Sequence, residues 1–317
     1  MNNVSDNQEF VYTYVHHNDE DDLCKMEMRS FFGFDTNANA LKTTIKIDPS
    51  RSPFIKERLE LLYEAPSWEN LIEQVEQLEL ADETFKVLSM NTIDLDTTPK
   101  IGFERRRKLE REIGLRIPGN PSLDNPKIIF AIMNLNDKWY FGKYEESESV
   151  WFRHQNKPHS YSTALSTRVA RAVANIAVPN PEGLKVIDPC CGIGNVLVEA
   201  LSMGIDIVGR DINPLVIEPA RVNIAYFGLE GDVQPGPIAD VTENYDVAII
   251  DMPYNIFSDA TPEDQHDIIR QARRIAKKVI VVTIDTIDHM IEDVGFTIVD
   301  RGEAKKGVFV RQVLICE

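Results

Sequence analysis

The order of patterns after Leu165 constrains the fold most. Leu165 to Ala177 predicts a helix, Lys185 to Asp188 a strand, Val196 to Met203 a helix and Asp206 to Gly209 a strand. Pro214 to Phe227 predicts a helix, Tyr245 to Asp251 a strand, Pro262 to Ile275 a helix and Lys278 to Thr283 a strand. Such repeated strand-loop-helix units predict an α/β fold with a mostly parallel, doubly wound sheet. Phe296 to Arg301 and Val308 to Cys316 flank a polar Gly302 to Gly307 turn and predict a terminal antiparallel hairpin.

The preceding half lacks this alternation. Phe10 to His16 and Leu41 to Ile47 read as strands, Asp19 to Phe32, Pro53 to Tyr63 and Trp68 to Leu78 as helices, and Thr84 to Met90 as extended. Gly102 to Ile113 reads as a helix, and Lys127 to Leu135 and Trp139 to Tyr144 as a hairpin around Asn136-Asp137-Lys138. Mixed elements of this kind predict α+β. With 317 residues, two domains are expected, divided near residue 150 as 1–150 and 151–317.

Composition narrows the function. There are 51 acidic residues against 34 basic, a formal charge of −17. That argues against holding nucleic acid by bulk charge, since such binding needs Lys and Arg to displace counterions, and leaves room for a local basic patch. Both halves are acidic, with 18 basic against 28 acidic residues and 16 against 23. The polar, acidic start Met1-Asn2-Asn3-Val4-Ser5-Asp6 lacks a basic n-region and an apolar h-region, and the run Val279 to Ile284 is far short of the ~20 apolar residues of a spanning helix. Cys24, Cys190, Cys191 and Cys316 lack the spacing of a disulfide framework or zinc site. A cytoplasmic protein without metal is expected, and the Asn3-Val4-Ser5 sequon is then a chance match.

Three strand ends carry the chemistry. Val186-Ile187-Asp188-Pro189-Cys190-Cys191-Gly192-Ile193-Gly194-Asn195 runs from a buried strand through a glycine loop into a helix, where backbone can approach a ligand closely. Val208-Gly209-Arg210-Asp211-Ile212-Asn213-Pro214 ends the next strand in an acid able to accept both ribose hydroxyls of a nucleoside. A nicotinamide dehydrogenase uses similar geometry. Here, however, Leu197 occupies the third position of G-x-G-x-x-G, removing the close helix packing that motif implies. Asp188 suits a cofactor carrying an ammonium and a sulfonium, as S-adenosylmethionine does. At the end of Tyr245 to Asp251 stands Asp251-Met252-Pro253-Tyr254-Asn255. An exocyclic amine is a poor nucleophile because its lone pair is conjugated. Asp251 and the Met252 carbonyl can accept its hydrogens, Pro253 can fix the turn and Tyr254 can stack on the base.

Together with His159-Ser160-Tyr161-Ser162-Thr163-Ala164-Leu165-Ser166, these motifs resemble class I methyltransferases that modify the N2 amine of guanosine in tRNA. The resemblance is to the THUMP-containing guanosine-10 group. It covers Arg153 to Glu317 strongly and the first half more weakly, through Lys108 to Asn120 and Asn125-Pro126-Lys127, which look like a THUMP domain. It implies a Rossmann-like methyltransferase domain, S-adenosyl-L-methionine as cofactor, an RNA substrate and a THUMP domain that presents tRNA. Residue by residue it assigns Asp188, Cys190, Gly192, Gly194, Asn195, Asp211 and Ile212 to the cofactor and Asp251, Pro253 and Tyr254 to the target amine. Ser160 and Ala164 fall in the stretch covering the cofactor's methionine part. Asn195 stands where the family usually has a small hydroxyl residue, and Met252 where proline is commoner. For the adenine amine, Asp232 and Asp240 are both candidates, and Pro237 falls where an acid is expected.

Lys100 to Arg116 holds seven basic and three acidic residues. Arg105, Arg106, Arg107, Lys108 and Arg111 are the candidate RNA contacts, against the alternative of a solvated helix face paired with Glu104, Glu110 and Glu112. Rival functions are amino methylation of DNA adenine or cytosine or of protein glutamine, and a catalytically silent RNA-binding subunit. Nothing in the sequence specifies an oligomeric state, and no membrane partner is expected.

Overall fold

The computed structural model describes residues 8–80, 83–90, 101–162, 164–253, 260–306 and 309–317. In chain order the elements are β1 (Phe10–Tyr14), α1 (Asp21–Phe32), β2 (Ala40–Thr43), β3 (Ile55–Ala65), α2 (Trp68–Val75), β4 (Thr84–Ser89), α3 (Phe103–Gly114), β5 (Asn120–Pro121), β6 (Ile128–Leu135) and β7 (Lys138–Glu146). They continue with α4 (Thr167–Ala177), β8 (Lys185–Asp188), α5 (Asn195–Ser202), β9 (Asp206–Asp211), α6 (Ile217–Tyr226), β10 (Val233–Pro235) and β11 (Tyr245–Asp251). The chain closes with α7 (Pro262–Ile275), β12 (Ala276–Thr283), α8 (Asp288–Asp293), β13 (Ile298–Lys306) and β14 (Phe309–Cys316). Two compact units result, one of residues 1–15, 36–50 and 54–148, the other of 16–35, 51–53 and 149–317.

The first unit is α+β around a seven-stranded sheet ordered β2-β1-β3-β7-β6-β4-β5. On one face, Leu71 and Val75 of α2 and Leu109 and Ile113 of α3 pack on Phe85, Phe130 and Phe141. The expected β6-β7 hairpin turns through Asn136 and Asp137 at φ of 52° and 60°, the left-handed region that these two residue types tolerate. One expectation is overturned. Pro53 to Tyr63 is not helical, because Ile55–Ala65 forms the strand β3 between β1 and β7. Its polar residues hide the alternation: Glu57 and Arg58 are buried, Glu57 accepting from Thr13 at 3.1 Å and Tyr144 at 3.0 Å, and Arg58 pairing with Glu145. A shift of register between Leu61 and Tyr63 breaks the period further.

The second unit has the doubly wound sheet, ordered β10-β9-β8-β11-β12-β14-β13. Strands β8 to β12 are parallel, and β14 runs antiparallel to both neighbours. The chain steps outward from β8 to β9 to β10, then returns to the other side of β8 as β11. This reversal opens a crevice at the carboxyl ends of β8 and β11, where open sheets bind ligands. The terminal hairpin forms as expected, although its strands run through Gly302 and Lys305; residues 307 and 308 lie outside the described set. Strand β10 and helix α8 are too short to have left a periodic signal.

The units do not follow the single division at residue 150. Helix α1 buries Leu23, Met26, Met28, Phe31 and Phe32 within the second unit, against α4 and β13. Arg29 donates to both carboxylate oxygens of Asp300, at 2.9 and 2.8 Å. Beneath α1, the fully buried Glu27 accepts from Ser52 and from Asn175 Nδ2 at 2.7 Å. Burial pushes its carboxyl up to about 7, against the two hydrogen bonds and the Arg171 and Arg51 charges. A raised carboxyl contributes stability that is fully present below its unfolded value of ~4.3 and is lost as pH rises through about 7. Glu27→Gln keeps the volume without the charge, its amide oxygen accepting from Asn175 and its amide nitrogen donating to the Ser52 hydroxyl. The variant should gain on the order of 3 kcal/mol relative to wild type between pH 4.5 and pH 8, measured by urea unfolding. Parallel pH profiles for the two proteins would contradict this account.

Candidate functional site

The loop after β8 is a backbone device. Gly192 and Gly194 sit at φ of 50° and 80°, a region costly for other residues. Cys191 N donates to the Arg210 carbonyl at 2.9 Å, tying the loop to the end of β9. Buried Asn223 of α6 ties it to the preceding segment, donating to the Ile193 and His159 carbonyls and accepting from His159 N. The close helix-sheet packing that Leu197 was expected to remove is retained from the other side. A Cβ on Gly209 of β9 would stand 2.4 Å from Leu197 Cδ1, so the glycine sits on the strand and the leucine on α5.

At this crevice lies a cavity of about 660 Å³. Its lining includes the carboxylates Asp188, Asp211, Asp251, Asp264 and Asp267, and no Lys or Arg among the described residues. Asp188 is buried and accepts from Cys190 N at 3.2 Å. Burial holds its carboxyl well above the usual range; the Cys190 bond opposes this, and the charges of Asp251 and Asp211 add to it. Asp211 accepts from Gly192 N at 2.8 Å and Asn213 N at 2.9 Å, yet burial outweighs these amides and raises it too. Asn195 donates to the Leu165 carbonyl at 2.7 Å, while its buried Oδ1 has no hydrogen-bond partner. An unpaired buried acceptor is costly until a donor arrives.

The remaining walls are apolar or backbone. Ile212, 72% exposed, and buried Ile238 contribute at the ends of β9 and beyond β10. Arg274 holds the Ile238 turn by donating to the carbonyls of Val241 at 2.7 Å and Ala239 at 3.2 Å. Past β11, Met252 N donates to the Val282 carbonyl at 2.9 Å, and buried Gln265 of α7 donates to the Pro253 carbonyl at 2.9 Å. The Asp251-Met252-Pro253 backbone is thus pinned from both sides.

Of the residues singled out in the sequence, Ala164, Asp188, Cys190, Gly192, Asn195, Asp211, Ile212, Asp251 and Pro253 share this cavity. Gly194 lies just behind it at the start of α5, packed on Ala220, and acts through its conformation. Ser160 lines a smaller cavity of about 230 Å³. Asp240 is misplaced: its side chain is 64% exposed, stands 3.7 Å from Arg210 and does not line the cavity, because the turn offers Pro237, Ile238 and Ala239 instead. Tyr254 and Thr163 lie outside the described residues. Burial raises the Cys190 and Cys191 thiols, so neither is an activated nucleophile. Tyr161 falls in the motif stretch before α4, whereas no local motif marks Ala239, Asp267 and Ile268, which only the fold collects.

In the first unit, Arg105, Arg107, Lys108 and Arg111 of α3 are exposed and Arg106 is half-buried. Arg107 lies 3.2 Å from Glu110 and its guanidinium 5.4 Å from the Phe103 ring. Glu110 also accepts from Ser89 N at 2.9 Å, so it is shared with β4.

Residues 180–307 match the family described as "Methyltransferase domain". The chain is 28% identical over 176 residues to a tRNA (guanine(10)-N2)-dimethyltransferase of Methanothermobacter thermautotrophicus, covering 52% of this chain and 52% of that one. It is 26% identical over 205 residues to the protein of that name from Pyrococcus abyssi, covering 59% and 60%. The aligned part thus spans about half the length of these curated relatives. Among solved structures, TrmN from Thermus thermophilus superposes with a TM-score of 0.49 at 16% identity, covering 98% of this chain and 99% of that one. Among the described residues, no helix is long and apolar enough to cross a membrane and no cluster of metal-ligating side chains occurs.

Carboxylates raised by burial bind a cation best once ionised. Uptake of a cationic ligand in this cavity should therefore release a proton and tighten as pH rises through the Asp188 titration. Calorimetry in buffers of different ionisation enthalpy measures that proton, and Asp188→Asn should abolish most of it. A proton count of zero for the wild type would contradict the assignment.

Proposed function

We propose that this chain is an S-adenosyl-L-methionine-dependent methyltransferase acting on the exocyclic N2 amine of a guanosine in tRNA. The observation that carries the reading is the placement of Asp251-Met252-Pro253 on the wall of an acidic cavity formed by the glycine loop and Asp211. A pyrophosphate cofactor would meet carboxylates there and, among the described residues, no cation. A cofactor with an ammonium and a sulfonium meets complementary charge. The matched methyltransferase family and the names of the two archaeal relatives support the same chemistry.

Asp211 would hold the ribose hydroxyls, with Ile212 and Ile238 offering apolar surface for the adenine. Asp188 and the unpaired Asn195 Oδ1 would receive the ammonium end. When bound, the cofactor supplies an electrophilic methyl on a positively charged sulfur. Asp251 and the Met252 carbonyl would each accept a hydrogen of the target amine, turning its lone pair toward that methyl. The Asp251 carboxylate would also face the positive charge that the amine nitrogen gains on accepting the methyl. The amine's proton can then leave to the Asp251 carboxylate. Tyr254, next in the motif, would clamp the base. The exposed cations of α3 would contact RNA phosphates in a THUMP-like first unit.

Asp251→Ala should bind the cofactor within about threefold of wild type and lower methyl transfer to tRNA by roughly 10²–10³. The check pairs calorimetry with transfer of labelled methyl into separate tRNA, DNA and protein pools, followed by nucleoside mass spectrometry. A fully active variant, or label in the DNA or protein pool alone, would overturn the assignment.

A further inference from the structure

Beside the acidic cavity lies the smaller one of about 230 Å³, sharing Tyr161, Ala164, Leu165 and Asn195 with it. The charges in its walls are reversed. Lys157 lines it, together with Arg168 and the hydroxyl residues Ser160, Ser166 and Thr167. Arg168 is held by Glu20 at 2.8 Å and lies over the Trp151 ring, but Lys157 makes no ion pair among the described residues. Its ammonium is partly withdrawn from water, and burial lowers its titration against the distant pull of Glu199. A desolvated cation facing a polar cavity is completed by an oxyanion. Tyr161, 53% exposed, stands where the two cavities join and offers an aromatic face there.

We infer that the Lys157 cavity is a phosphate subsite, taking a backbone phosphodiester of the nucleic-acid strand whose target base enters the neighbouring cavity. This rests on the functional reading above. An aromatic face beside a cation is the pairing that single-stranded nucleotides use, base on ring and phosphate on ammonium. A carboxylate of the small-molecule cofactor has the same anionic chemistry but no use for the ring. The acidity of the whole chain sharpens the point, since a cation in a recess retains local attraction that surface charges lose to repulsion and screening.

The full chain is tested as wild type, Lys157→Ala and Lys157→Arg. For Lys157→Ala the KM for tRNA should rise about tenfold with kcat within threefold, and the slope of log affinity against log salt should fall by roughly 0.7–0.9. Lys157→Arg should restore most of the affinity, and cofactor affinity by calorimetry should stay within about twofold for both. Inorganic phosphate and tRNA should each protect Lys157 from acetylation in the wild type, read by peptide mass spectrometry. An unchanged KM and salt slope in an enzyme that methylates RNA would overturn the inference alone. A loss of cofactor affinity with unchanged RNA binding would reassign the cavity to the cofactor carboxylate. Absence of RNA methylation would overturn the functional reading, and in that case failure of phosphate to protect Lys157 would overturn this inference separately.

Discussion

The site depends on the parallel pairing of β8 with β11, in which Val247 lies opposite Val186 and Ala248 opposite Ile187. These strands are separated in sequence by two strand-helix excursions, and only the reversal after β10 makes them neighbours. Their shared carboxyl edge places Asp251 close enough for its charge to add to the burial that raises the Asp188 carboxyl. Keeping carboxylates together out of water is unfavourable in the ligand-free protein. The compensation within the protein is incomplete: single backbone amides on Asp188, two on Asp211, and an Asn195 oxygen with none. Such a cavity gains most from a ligand that brings positive charge and hydrogen-bond donors together.

The rest of the second unit holds that edge still. Gly209 lets Leu197 approach β9, Asn223 clamps the glycine loop to the His159 segment, and Gln265 pins the Pro253 carbonyl. Below the sheet runs a buried polar chain in which Arg171 and His154 both meet Glu199 at 2.8 and 2.7 Å. Breaking one partner of such a chain strands another, so it specifies one packing of α4 on α5 more than it adds stability.

The overall acidity takes on a different meaning once charges are placed. The formal −17 argues against binding by bulk charge, yet it coexists with a carboxylate-lined cavity, a lysine-bearing recess beside it and an arginine-rich α3 in the other unit. Attraction in each place is local, because charges beyond about 8 Å are screened at physiological salt.

The doubly wound architecture was legible because strand and helix periods alternate repeatedly between Leu165 and Thr283. Asp188, Gly192, Asp211 and Asp251 were legible because each stands at a strand end, where backbone turns and side chains meet a ligand. Other features had no local signature. Strand β3 read as helix because Glu57 and Arg58 find their partners on segments distant in sequence. Helix α1 joined the second unit because its apolar face found α4 and β13, far away in sequence. Asp240 is marked by position alone, and its exposed side chain stands beside Arg210 outside the cavity lining. Local period and glycine chemistry marked Asp188 and Asp251 as strand-ending acids, because each closes a short apolar run. Which ends meet, which carboxylates lose water and which lysine stands in a cavity followed from packing, because burial and proximity arise from contacts between distant segments.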